Sequence, residues 1–106
     1  MEELMVEAEL ERRIREEEIL IVEVGSRSCE PCGAIRGKLE RWLVERPEAA
    51  GIYVDIEKFP ALTAQAGIFT VPAVLIYVHG HMTVRESGYF SLEQVLQKLD
   101  ITCSLL

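Results

Sequence analysis

"ILIVEVGSRSCEPCGAIRG", residues 19–37, runs three kinds of sequence together without a break. Residues 19–24 are apolar except at Glu23 and rich in branched side chains, the composition of a strand covered on both faces at the middle of a parallel sheet. Gly25 and Ser26 end that run. Beyond Cys29, the residues Ile35, Leu39, Trp42 and Leu43 recur at helical spacing until Pro47. The stretch therefore predicts a buried strand, a short loop and a long helix, with Cys29 and Cys32 at the junction of loop and helix.

That junction is where sites collect in α/β sheets, because the loop leaves the carboxyl edge of the strand and meets the amino end of the helix. If Cys29 caps the helix, Cys32 falls in its first turn, and the two sulfurs come within bonding reach. Unpaired backbone N–H groups and the helix dipole then favour a thiolate. Pro31 suits the first turn, which has no use for its missing N–H. The spacing makes the pair unequal, with Cys29 at the tip and Cys32 turned inward. A redox couple, half of a zinc site and a pair of inert thiols all remain open on this evidence. A closed zinc site needs four ligands, and the only other cysteine or histidine residues are His79, His81 and Cys103.

Outside the junction, residues 4–15 suit an amphipathic surface helix, and "GIYVDIE" from Gly51 gives a second strand joined to the first by a right-handed crossover. Residues 60–66 read as a short helix with Pro60 in its first turn. Residues 73–78 and 82–86 flank a Gly80 turn as a hairpin. Ser91 caps a last helix through Leu92, Val95, Leu96 and Leu99, leaving Cys103 as a tail thiol. Trp42 reads as core.

The 106 residues predict one domain over 1–106, and 49% hydrophobic with 27% charged residues allows both a core and solubility. Eighteen acidic against 11 basic residues give a net charge of −7, with no basic cluster, which argues against nucleic acid as a partner. The acidic start lacks a secretory profile, and no apolar run approaches the ~20 residues of a membrane span, so a cytoplasmic location and no membrane partner are expected. An odd cysteine count in a reducing compartment leaves a thiol unpaired.

Three segments together, "VEVGSRSCEPCGAI", "VDIEKFPALTAQAGIFTVPAVLIYVHG" and "SGYFS", resemble the thioredoxin family over about residues 19–99. A CxPC after a buried strand, followed about forty residues later by "TVP" and a hairpin, carries the resemblance. It implies an α/β thioredoxin-like fold, a central mixed sheet flanked by helices on both faces. It implies thiol-disulfide exchange with protein disulfides, most simply as a reductase, in which Cys29 is the nucleophile and Cys32 resolves the mixed disulfide. Val71 and Pro72 match a hydrophobic-then-cis-proline element offering backbone groups to an extended substrate, and Gly88 matches a glycine at the site's rim. Glu23 falls where the family keeps a buried carboxylate. Independently of the family, a carboxylate in an apolar strand is costly when charged, so its pKa should rise and suit it to accept the Cys32 proton.

The expected partners are protein disulfide substrates and a thioredoxin reductase or another dithiol donor, with a monomer as the working state and no bound cofactor or metal. The chain departs from the family pattern at Ser28, Glu30 and Ala73, where tryptophan, glycine and threonine are usual. Tyr53 stands where many members have a lysine. Glu30 works against a thiolate at Cys29, whereas Arg27 and Arg36 work for it. These departures sustain a rival expectation, a thioredoxin-like scaffold that binds a partner over Val71 and Pro72 without turnover.

Overall fold

A computed structural model describes residues 1–106. In chain order it contains β1 (Glu2–Glu3), α1 (Glu7–Glu16), β2 (Ile19–Gly25), α2 (Glu30–Val44), β3 (Ala49–Asp55), α3 (Pro60–Gln65), β4 (Ala73–Val78), β5 (His81–Ser87) and α4 (Leu92–Leu105). The strands form one sheet in the order β1-β3-β2-β4-β5, parallel through β1, β3 and β2 and antiparallel from β2 to β4 to β5. This is the expected mixed α/β sheet, with helices on both faces.

Every residue of β2 is buried, as its unbroken apolar run requires of a central strand. Alternation along it feeds two cores. Leu20, Val22 and Val24 face a cluster with Ile52, Val54 and Leu75, onto which Leu10 and Ile14 of α1 and Leu62 of α3 pack. Ile19 and Ile21 face the other way, onto Leu39 and Trp42 of α2 and Leu92, Val95 and Leu99 of α4. Trp42 is therefore core, and its indole N–H donates to Asp100 at 3.2 Å, tying α2 to α4. No helix is long and apolar enough to cross a membrane.

Two local expectations are corrected, and one element is new. The first helix begins at Glu7 rather than residue 4, because Leu4 is buried in the core and its N–H donates to the Tyr53 carbonyl at 2.7 Å, which holds the segment extended. Glu2–Glu3 thereby adds an edge strand that two acidic residues gave no reason to expect. The last helix continues to Leu105, so Cys103 is not in a tail but half-buried within α4 against the α2 side of the core. The hairpin closes through His79 and Gly80, both with positive φ (49° and 81°), a turn whose twist matches its strands. Glycine adopts such angles freely and histidine is among the residues that tolerate them.

Candidate active site

The N-terminus of α2 is built by Cys29 itself. It is the N-cap, with extended backbone, and its sulfur accepts the Cys32 N–H at 3.3 Å. Pro31 occupies the first turn, and Cys32 lies below the cap, 1% exposed, while Cys29 is only half-buried. The two sulfurs are joined as a disulfide, with Cα atoms 5.3 Å apart, well inside the range a bridge spans. The inequality expected from the spacing is thus present: one sulfur faces outward and the other is sealed beneath it.

Glu23 lies on β2 two residues before Gly25, the residue that sits against Cys32, and is paired with Tyr53 on one side and Val74 on the other. It shares the α2 face with Ile19 and Ile21, since side chains two apart on a strand point the same way. Glu23 is fully buried and neither carboxylate oxygen has a hydrogen-bond partner. Removal from water pushes its pKa up to about 8; the Arg36 guanidinium pulls it down and Glu40 adds to the rise. A carboxyl group without partners inside an apolar strand is thus kept neutral at pH 7, as the cost of burying its charge dictates.

Val71 and Pro72 enter β4 through a cis peptide bond, as the resemblance implies. They line an open groove of about 310 Å³ together with Pro31, Ile35, Gly88, Tyr89 and Phe90. The Gly88 N–H donates to the Pro72 carbonyl at 2.9 Å, pinning the two walls together. No backbone hydrogen bond engages the N–H or C=O of Val71, which leaves both free for an extended visitor. All six residues singled out in the sequence therefore lie toward one end of the sheet, with Val71, Pro72 and Gly88 lining the groove, Cys29 and Cys32 flanking its Pro31 in sequence, and Glu23 buried in β2. His79 and His81 lie at the opposite end, where the His79 N–H donates to the Glu18 carbonyl just ahead of β2. No three His, Cys, Asp or Glu side chains converge as metal ligands.

The sequence reading missed Gly25 and the two aromatics of "GYF". Gly25 closes β2 directly under the disulfide, where a Cβ would lie 2.9 Å from the Cys32 sulfur and collide with the Tyr53 hydroxyl. A glycine ending a buried strand ahead of CxxC was the available signal for this close approach. Gly25→Ala is accordingly expected to cost about 1–3 kcal/mol of stability by overpacking. Urea unfolding of the oxidised protein measures it, and an unchanged midpoint would show that the cysteine turn yields freely. Tyr89 is wholly exposed on the groove's rim, a position that hydrophobic periodicity could not distinguish from an ordinary loop.

No family model matches the sequence. Over 73 residues, 69% of the chain and 71% of the relative, it is 26% identical to thioredoxin-1 of Schizosaccharomyces pombe. It is 23% identical to the thioredoxin-like protein YdfQ of Bacillus subtilis over 90 residues, 85% of this chain and 80% of that one. The X-ray structure of Fasciola hepatica thioredoxin superposes with a TM-score of 0.81 at 26% identity, covering 96% of this chain and 98% of its own. Sequence relatives, a matching fold and a cysteine pair bridged at the capped end of the helix after the central strand together support a thioredoxin family protein, similar to the thioredoxins in sequence and fold and carrying a Cys-Glu-Pro-Cys pair.

Proposed function

We propose that this thiol-disulfide oxidoreductase acts as a reductase of disulfides in other proteins, with Cys29 as nucleophile, Cys32 as resolving thiol and Glu23 as proton acceptor. The observation that carries the reading is the unequal pair itself: an outward sulfur at a helix N-cap, bonded to a buried one, beside an apolar groove. An extended substrate segment lies along Pro31, Ile35 and Pro72 and uses the free Val71 backbone groups. The Cys29 thiolate, favoured by the Cys32 N–H and the helix end, attacks one sulfur of the substrate bridge and expels the other as a thiolate. Cys32 then gives its proton to Glu23 in its ionised form, the minor form at pH 7 that becomes the major one above about pH 8, and attacks the Cys29 sulfur. The substrate leaves with two thiols and the enzyme with its bridge, a two-electron exchange that balances without a bound cofactor. Recharging falls to a thioredoxin reductase or another dithiol donor. In this proposal one domain, acting as a monomer in the cytoplasm, carries the whole cycle.

The test is equilibration against glutathione buffers of graded redox ratio, with the 29–32 bridge scored by mass. Reversible conversion between dithiol and bridge, together with reduction of a disulfide-containing test protein by the dithiol form, is the expected result. A pair that never opens, or an open pair that leaves the test protein's disulfides intact, would favour the scaffold that binds without turnover.

A further inference from the structure

Around Glu23 and Cys32 stand two side chains that the exchange mechanism does not yet use. Tyr53 is 8% exposed and lies beside Glu23 in the β2–β3 register. Its hydroxyl reaches forward past Glu23 to Gly25, where it and the Cys32 sulfur crowd the same point above the glycine. No hydrogen bond in the oxidised protein engages that hydroxyl. A disulfide sulfur is a weak acceptor and a thiolate a strong one, so the donor is set where an acceptor forms only when the bridge opens. Over the ring lies Arg36, one helical turn beyond Cys32, with its guanidinium carbon 4.5 Å from the ring centroid. Arg36 is held from its far side as well, donating to the Met1 carbonyl at 3.1 Å and facing Glu40 at 3.8 Å. The cation thus reaches the site from α2 across a tyrosine ring, rather than from the strand beside the carboxylate.

We propose that Tyr53 donates a hydrogen bond to the Cys32 sulfur as it becomes a thiolate, and that Arg36 is the positioning residue that clamps the Tyr53 ring and supplies the positive charge facing Glu23. The proposal rests on the exchange reading above and assigns the support of its second step. In that step the Cys32 S–H bond breaks, its proton goes to the Glu23 carboxylate, and the sulfur's electron pair forms the bond to Cys29. The bond from Cys29 to the substrate breaks, and the substrate sulfur leaves as a thiolate. The charged or titratable groups acting on Glu23 are Arg36 and Glu40 from α2 and Tyr53 from β3, and Tyr53 is in turn influenced by Asp55 further along that strand and by Glu3 of β1. Removing Arg36 therefore moves Glu23 toward stronger proton retention, whereas removing the Tyr53 hydroxyl acts on the sulfur.

The experiment compares wild type, Tyr53→Phe, Arg36→Met and Arg36→Lys as full-length proteins in single-turnover exchange with a disulfide peptide, resolving adduct formation from adduct release between pH 6 and 9. Cys32 is titrated in each reduced protein by NMR of labelled cysteine. Tyr53→Phe keeps the ring and the stack; release is expected to slow about tenfold with formation unchanged, and Cys32 to titrate at higher pH. Arg36→Met should displace the pH profile of release upward, and Arg36→Lys should bring it back, a rescue that mere packing would not produce. Release and Cys32 titration in Tyr53→Phe indistinguishable from wild type would overturn the tyrosine's role, and an unmoved profile in Arg36→Met that of the arginine. If wild type itself forms no adduct, the exchange reading fails first, and an unshifted Cys32 titration in Tyr53→Phe then removes this proposal on its own evidence.

Discussion

Cys32→Ser will stall the protein as a covalent adduct of its substrate. The half-buried Cys29 sulfur at the helix N-cap remains able to attack an incoming disulfide, but the serine hydroxyl cannot displace sulfur from sulfur, so the mixed disulfide persists. With Cys103→Ser as background, since that thiol is half-buried and unpaired, mass spectrometry should find a stoichiometric adduct on Cys29 and loss of turnover. The reciprocal variant, Cys29→Ser, should form none, because the Cys32 sulfur is covered. A folded Cys32→Ser protein that captures nothing would remove the exchange mechanism and leave the binding scaffold.

Glu23→Gln will change both the stability profile and the pH dependence of release. Because the folded pKa is about 8 against an ordinary 4.5, the folded state holds a proton that the unfolded chain has already lost throughout that window. Stability contributed by this group is thus fully present below about pH 4.5, falls as pH rises toward 8, and levels off above it. The total loss is on the order of 5 kcal/mol. Glutamine is neutral throughout, so between pH 5 and 9 the variant should gain on wild type by an amount of that order in denaturant unfolding. A difference independent of pH would mean that the buried carboxylate titrates as if exposed. In exchange, the variant should slow adduct release more than adduct formation and lose the part of the release profile centred near pH 8. Equal effects on both steps would remove Glu23 from proton transfer.

Much of this site could be read from residues 19–37 alone, for a definite reason. A strand apolar on both faces but for one residue reads as central, a strand–loop–helix must put its loop at the carboxyl edge of the sheet, and a cap three residues ahead of a second cysteine fixes their separation. The isolated carboxyl in that strand was equally legible, because its only alternatives were burial or a broken pattern. Tyr53 was visible only as a departure and Arg36 only as a nearby charge. Their stacking depends on α2 lying across β3, a long-range packing outcome that no local period encodes. The edge strand at Glu2–Glu3 escaped for a similar reason: its pairing is dictated by Leu4 seeking the core, against the preferences of the acidic residues themselves.

Local order, then, was determined by the chain itself: the central strand, the capped helix, the unequal cysteines and the unpartnered carboxylate all follow from short-range spacing and the cost of burying charge. Only the folded arrangement decided what surrounds them. The Val71–Pro72 wall that shares a groove with Pro31, the Gly88 bond that fixes it, and the Tyr53 hydroxyl near Cys32 come from segments far apart in sequence. They meet because two cores clamp one sheet from opposite sides, and that closure is a property of the whole packing.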